Sequence, residues 1–219
     1  MNDCRKIQII YVTSSNFKIE ENAVFSKVCK LRDGTPVEKL FEFDIRHENV
    51  TEILSSDLES MVKAEVLQAY SFVKRPCIVE HAGIILEDFK NMSYPGGLTK
   101  PMWNTLEDNF LKETNWEGRA AVARAVIGFC DGMKIRTFVG ETKGKFSKKP
   151  KGQREFYWDT IFIPEDLNGK TSGKTYAEIV EDDNLGLEYK IEFLSQSSRA
   201  MLKFLEYLKN EPQNDLFSY

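Results

Sequence analysis

The chain has 219 residues, 42% of them hydrophobic and 29% charged, with a formal net charge of −4. That composition excludes a disordered chain, the absence of a long apolar run excludes a helical membrane span, and the length predicts one domain around one core. The acidic balance excludes a nucleic-acid footprint over the whole surface, although a pocket for one nucleotide needs only a few local cations.

The segment Ile7–Val12 is apolar and β-branched, which predicts a first strand. Gln8 interrupts the run and no small-residue cleavage site follows, so a signal peptide explains it less well. A polar turn, TSSN, leads into a helical pattern starting near Lys18. Hydroxyls and backbone N–H groups ahead of a helix suit phosphate oxygens, so Thr13, Ser14, Ser15, Asn16 and Lys18 are candidate nucleotide-binding residues. A plain helix cap has the same look.

A second strand is predicted over residues 40–45 and a helix over 58–72, with Leu58, Met61, Val62, Val66, Ala69 and Tyr70 at helical spacing. A short buried strand, 77–79, runs into Glu80 and His81. Glu52 and Glu80 are candidate ligands for a Mg²⁺ that bridges substrate phosphates, because Mg²⁺ prefers hard oxygens and keeps several waters. Lys63, on the intervening helix, is a candidate phosphate cation; it can equally be an ordinary surface lysine. Alternating strands and helices indicate an α/β sheet with its ligand beyond the strand ends.

Segments 120–129 and 135–139 flank an Asp131-Gly132 turn and predict a long antiparallel hairpin. The basic stretch 143–154 reads as a solvated loop or as a polyphosphate contact. Phe156, Tyr157 and Trp158 beside Asp159 can form an aromatic slot for a base, or simply core. A short strand over 161–163 follows, and then Ser195, Gln196 and Ser197, which offer neutral hydrogen bonds or helix caps. The last helix, 197–208, carries Met201, Phe204, Leu205 and Leu208 on one packing face, and residues 211–219 are expected to fray. Cys4, Cys29, Cys77 and Cys130 lack metal-type or redox-type spacing, so reduced thiols in a cytoplasm are expected.

Taken in this order, the segments resemble the inosine triphosphate pyrophosphatase family, whose members remove deaminated purine nucleotides such as ITP, dITP and XTP. TSSNFKIEE is similar to the family's T-G-N-x-x-K-x-x-E, with Thr13, Lys18 and Glu21 in register and Ser14 and Ser15 replacing Gly and Asn. IVEHAGIIL matches a strand ending in (E/D)-D-(S/T)-G-L, where Glu80 keeps the first acid and His81 replaces the Asp that activates the attacking water. FVGETKGKF resembles G-x-T-x-G-x-I, and EFYWD resembles F-G-W-D, which carries Phe156, Trp158 and Asp159 onto the nucleobase pocket. The family's K-x-x-x-S-H-R motif fits less well: Ser195 keeps the Ser, Gln196 replaces His, Ser197 replaces Arg, and Ile191 falls at the Lys. A loop one residue longer would bring Lys190 to that place, while the alternative register, with Arg199 at the Arg, puts Phe193 there.

The resemblance implies a single α/β domain with a mixed twisted sheet flanked by helices, a long antiparallel hairpin and a cleft between two lobes. It implies Mg²⁺ as cofactor and a homodimer. With the catalytic positions altered, the first functional expectation is a nucleotide sensor that binds dITP, ITP or XTP with impaired hydrolysis. Such a sensor is similar to the pyrophosphatase-like components of Kongming-type anti-phage systems, which act in hetero-complex with a sirtuin-like NAD hydrolase. The alternative is an active pyrophosphatase that cleaves (d)ITP or XTP to monophosphate and pyrophosphate.

Overall fold

A computed structural model describes residues 6–153 and 157–210. Strand β1 (Ile7–Val12) leads into helix α1 (Asn16–Val28). The helix begins two residues before the predicted start because Ser15 caps it, its Oγ accepting the Lys18 N–H at 3.4 Å. A short helix α2 (Val37–Leu40), not foreseen in the sequence, precedes β2 (Phe41–Arg46). Asp57 caps α3 (Leu58–Val73), whose buried residues Leu58, Met61, Val62, Glu65, Val66 and Ala69 recur at helical spacing.

Strand β3 (Cys77–Leu86) is far longer than the predicted three residues. The cause is tertiary: it pairs antiparallel with β5 (Ala120–Cys130) at every position, and β5 in turn forms the long hairpin with β6 (Ile135–Phe146). Between them lie β4 (Pro95–Gly96), α4 (Thr99–Leu106) and α5 (Phe110–Thr114). After β6 come β7 (Phe162–Pro164), α6 (Tyr176–Glu181), α7 (Gly186–Tyr189) and α8 (Gln196–Asn210). The segment 211–219, expected to fray, lies outside the described residues.

The sheet is mixed, ordered β2-β1-β3-β5-β6-β7, with β4 on the side of β3. One apolar cluster joins its first face to α1 and α8 through Phe25, Tyr11, Ile78, Ala200 and Phe204. A second joins the opposite face to α3 through Val12, Val62, Val66 and Val79. A third, aromatic cluster gathers Phe110, Trp116, Phe146, Trp158, Phe162 and Tyr176. Among the described residues, no helix is long and apolar enough to cross a membrane.

Segment 140–144 explains its own composition. A Cβ on Gly140 would stand 2.0 Å from the Gln196 carbonyl oxygen and 2.4 Å from the Ala200 nitrogen, so only glycine lets α8 lie this close to β6. Thr142 Oγ1 donates to the Leu194 carbonyl at 2.5 Å. Gly144 makes room for the Ile163 carbonyl of β7.

Candidate active site

Strand β1 stands at a switch in strand order, with β2 parallel on one side and β3 parallel on the other. Open α/β sheets bind ligands at such a point, beyond the carboxyl ends of the strands. Strand length enlarges the opening here. β1 pairs with β3 only through Cys77 and Ile78, and β4 takes up the same side of β3 only at Ile84 and Ile85. Residues 79–83 of β3 therefore have no strand beside them on that side, and a cleft of ≈ 310 Å³ opens there.

One wall is the start of α1: Thr13, Ser14, Ser15, Asn16 and Lys18 all line the cleft. Thr13 Oγ1 accepts the Ser15 N–H at 3.2 Å, which shapes the turn. Lys18 Nζ donates to the Glu80 carbonyl oxygen. Glu80 and His81 form the floor, and Glu52 enters from the β2–α3 connection. Tyr157 and Trp158 close the far side, so two residues of the predicted aromatic slot reach the cleft, while Phe156 lies outside the described residues.

The carboxylates are partly engaged. Glu80 accepts from Tyr11 OH at 3.0 Å and from Ser197 Oγ at 2.7 Å. Burial and the Glu80 charge together push the Tyr11 phenol well above its ordinary range, so Tyr11 stays a donor. Glu52 accepts from Lys100 Nζ at 2.7 Å. Burial alone would raise the Glu52 carboxyl, but the Lys100 hydrogen bond and nearby positive charge hold it below the usual value. Burial works on the Lys100 ammonium in the lowering direction, and the Glu52 contact outweighs it.

Several expectations are corrected. Lys63 is exposed and does not line the cleft, because successive helical residues turn by about 100° and the core-facing stripe of α3 passes through positions 62, 65 and 66 instead. The cation that reaches Glu52 is Lys100 of α4, which no motif singled out. Asp159 does not face the cleft: it is buried, 2.6 Å from Lys190 Nζ, with Glu21 on the same ammonium at 2.9 Å. The two carboxylates overcome the burial of Lys190 and raise it above an ordinary lysine. Gln196 is also turned inward, accepting from Tyr176 OH at 3.1 Å, and Ser195 Oγ accepts the Ser198 N–H at 3.2 Å. Lys143 and Lys145 of the basic stretch line a separate surface hollow beside β7.

Residues Lys190–Leu194 form a π-helical turn, which holds one residue more than an α turn. Lys190 opens that turn five residues ahead of Ser195. Glu65, on the core face of α3, is a cleft residue that sequence reading missed. It is an acid in an apolar stripe, and that anomaly was the available signal.

The donor set fits a Mg²⁺ of one kind. Among the described residues, no group of three or more His, Cys, Asp or Glu side chains forms a ready cage. Glu52 and Glu80 open on one cleft, however, and Mg²⁺ commonly takes one or two carboxylates and completes its shell with phosphate oxygens and water. The cleft also needs cations to receive a polyphosphate, since Glu48, Glu52, Glu65 and Glu80 outnumber Lys18 and Lys100.

The model of the Ham1 family matches residues 9–207. The dITP/XTP pyrophosphatase of Saccharolobus solfataricus is 32% identical over 184 residues, covering 82% of this chain and 88% of that one. The dITP/XTP pyrophosphatase of Pyrococcus horikoshii is 30% identical over 206 residues, covering 93% and 97%. Among solved structures, the Ham1 protein of Coxiella burnetii superposes with a TM-score of 0.59 at 17% identity, covering 93% of this chain and 100% of that one. The Staphylococcus aureus Ham1 protein gives 0.57 at 18%, with the same coverage. These likenesses show the same α/β fold.

Proposed function

Because the chain belongs to the Ham1 family, we propose that it is a nucleoside triphosphate pyrophosphatase acting on the deaminated purine nucleotides dITP, ITP and XTP. One observation carries the reading: a helix N-terminus, two carboxylates and an imidazole converge on a single cleft with a tryptophan at its wall. Relatives named dITP/XTP pyrophosphatase at about a third identity support the substrate class.

In this mechanism the backbone N–H groups at the start of α1 and the Ser14 and Ser15 hydroxyls receive phosphate oxygens. Lys18 and Lys100 add positive charge from opposite walls. Glu52 and Glu80 would hold a Mg²⁺, which supplies charge neutralisation on the polyphosphate. A water attacks the α-phosphorus, the bond from it to the bridging α–β oxygen breaks, and the electron pair leaves with pyrophosphate. His81 takes the proton that the water loses. Trp158 and Tyr157 offer ring surface to the base.

A specific observation favours a second reading, in which the cleft binds dITP and cuts it slowly. Both oxygens of Glu80 and one of Glu52 are already hydrogen-bonded, so chemistry here starts from occupied groups. That reading makes the chain a sensor for an effector partner. Pyrophosphate release from Mg²⁺ with dITP, ITP, XTP, dGTP or ATP, with calorimetric binding on the same batch, separates the two. Turnover of dITP and XTP above dGTP and ATP is the expected result. Tight dITP binding without turnover would overturn hydrolysis in favour of sensing.

A further inference from the structure

We infer that Glu65 is the positioning residue for His81, the two forming one buried unit that fixes which ring nitrogen of His81 meets the contents of the cleft. The kinetic part of this inference rests on the hydrolytic reading above; the pairing itself does not.

The two side chains come from different elements, α3 and β3, yet His81 Nδ1 lies 3.2 Å from Glu65 Oε1, with side chains only 7% and 6% exposed. Glu65 sits in the buried stripe of α3 beside Met61, Val62, Val66 and Ala69, each at most 1% exposed. A carboxylate there is costly unless another group compensates it. Its Oε1 is buried without an aligned hydrogen bond, so the imidazole at 3.2 Å is its compensating group. Packing of the aliphatic neighbours would be served better by leucine, and the acid therefore calls for a role beyond packing.

The chemistry of imidazole supplies that role. In the neutral ring one nitrogen donates and the other accepts. Nδ1 is the ring nitrogen that faces Glu65; a proton carried there is drawn to the carboxylate and leaves Nε2 as the acceptor, in a side chain that lines the cleft beside Glu80. Without the carboxylate, the ring can turn over or take the other tautomer, and the acceptor is lost from the cleft part of the time. The unit also restricts what can stand at position 81. A carboxylate there would face Glu65 at a largely buried position, where two like charges at such range do not both ionise readily.

The test is a cycle of four proteins: wild type, Glu65→Gln, His81→Asp and the double variant. Each is measured for pyrophosphate release from Mg²⁺-dITP, for Mg²⁺-dITP affinity and for melting temperature. Glu65→Gln is expected to lower kcat about 10- to 100-fold, as losing a group that orients a histidine typically does, with KM within about twofold. Glu65→Asp should recover part of the loss. His81→Asp alone should melt lowest, and adding Glu65→Gln should raise its melting temperature. Unchanged kcat in Glu65→Gln, or additive effects around the cycle, would overturn the unit. A wild type that turns over no dITP sinks the hydrolytic reading instead. In that case non-additive melting temperatures and affinities support the pair, and additive ones overturn it.

Discussion

Lys190 and Lys100 each meet acidic side chains, and the difference between them separates structure from site. Lys190 is sealed behind the cleft, where Glu21, Asp159 and the Tyr176 ring, 4.8 Å away, surround its ammonium. Lys100 is a third exposed, and it meets a similarly exposed Glu52 at the mouth. In the first region the charges answer one another within the protein. In the second, the same groups stand in partial water, where a phosphate or a metal can replace the partner at little cost.

The largest effect should come from breaking the sealed cluster. Lys190→Ala removes an ammonium that two buried carboxylates share, and urea unfolding should show a loss of about 3–5 kcal/mol. A loss below about 1 kcal/mol would erase the contrast between the regions. At the mouth the expected result is the reverse: Glu52→Ala should reduce pyrophosphate release about 10²–10³-fold with almost no change in melting temperature. If its stability falls with its activity, the mouth is structural too. Between these lies Gly140→Ala, which pushes α8 away from β6 and should cost about 1–3 kcal/mol by the same unfolding measurement. Equal stability there would mean that α8 shifts freely.

The smallest effect concerns two buried thiols. Burial pushes the Cys29 and Cys77 thiols up to about 12. An unfolded thiol ionises near about 8.5, so the unfolded chain releases these protons first as pH rises. The stability that the thiols contribute is intact below that value and is lost as pH climbs from there toward 12. The urea midpoint should therefore fall between about pH 7.5 and about pH 9.5. An unchanged midpoint, with rapid thiol labelling in the native state, would show that these sites open to solvent.

Much of this was readable in the residues. Ile7–Val12 is a strand with the predicted bounds, and the hydroxyl-rich turn after it does line the cleft. The hairpin around Asp131-Gly132 forms as local turn chemistry requires. What escaped depends on distance. Lys100 is far in sequence from Glu52, and only folding brings α4 to the mouth. Lys63 has a charge and a helix in its favour, but the turn of the helix puts it outside. Lys190 could be read only as a stand-in for a missing lysine, because its pairing with Glu21 and Asp159 joins residues far apart in the chain. Resemblance placed Asp159 in the base pocket, whereas burial beside Lys190 gives it a partner inside the protein.

The gap between β1 and β4 has a consequence for solubility in a crowded solution. A stretch of β3 with no strand paired on one side among the described residues is the kind of feature that recruits a strand from another molecule. Here α1 ends its capping turn over that stretch, and Lys18 takes the Glu80 carbonyl oxygen. A charged side chain on an open edge is a common guard against edge-to-edge stacking. The lysine that would greet a phosphate thus also keeps one copy of the sheet from extending into the next, and Lys18→Ala should aggregate faster on heating than its loss of stability accounts for.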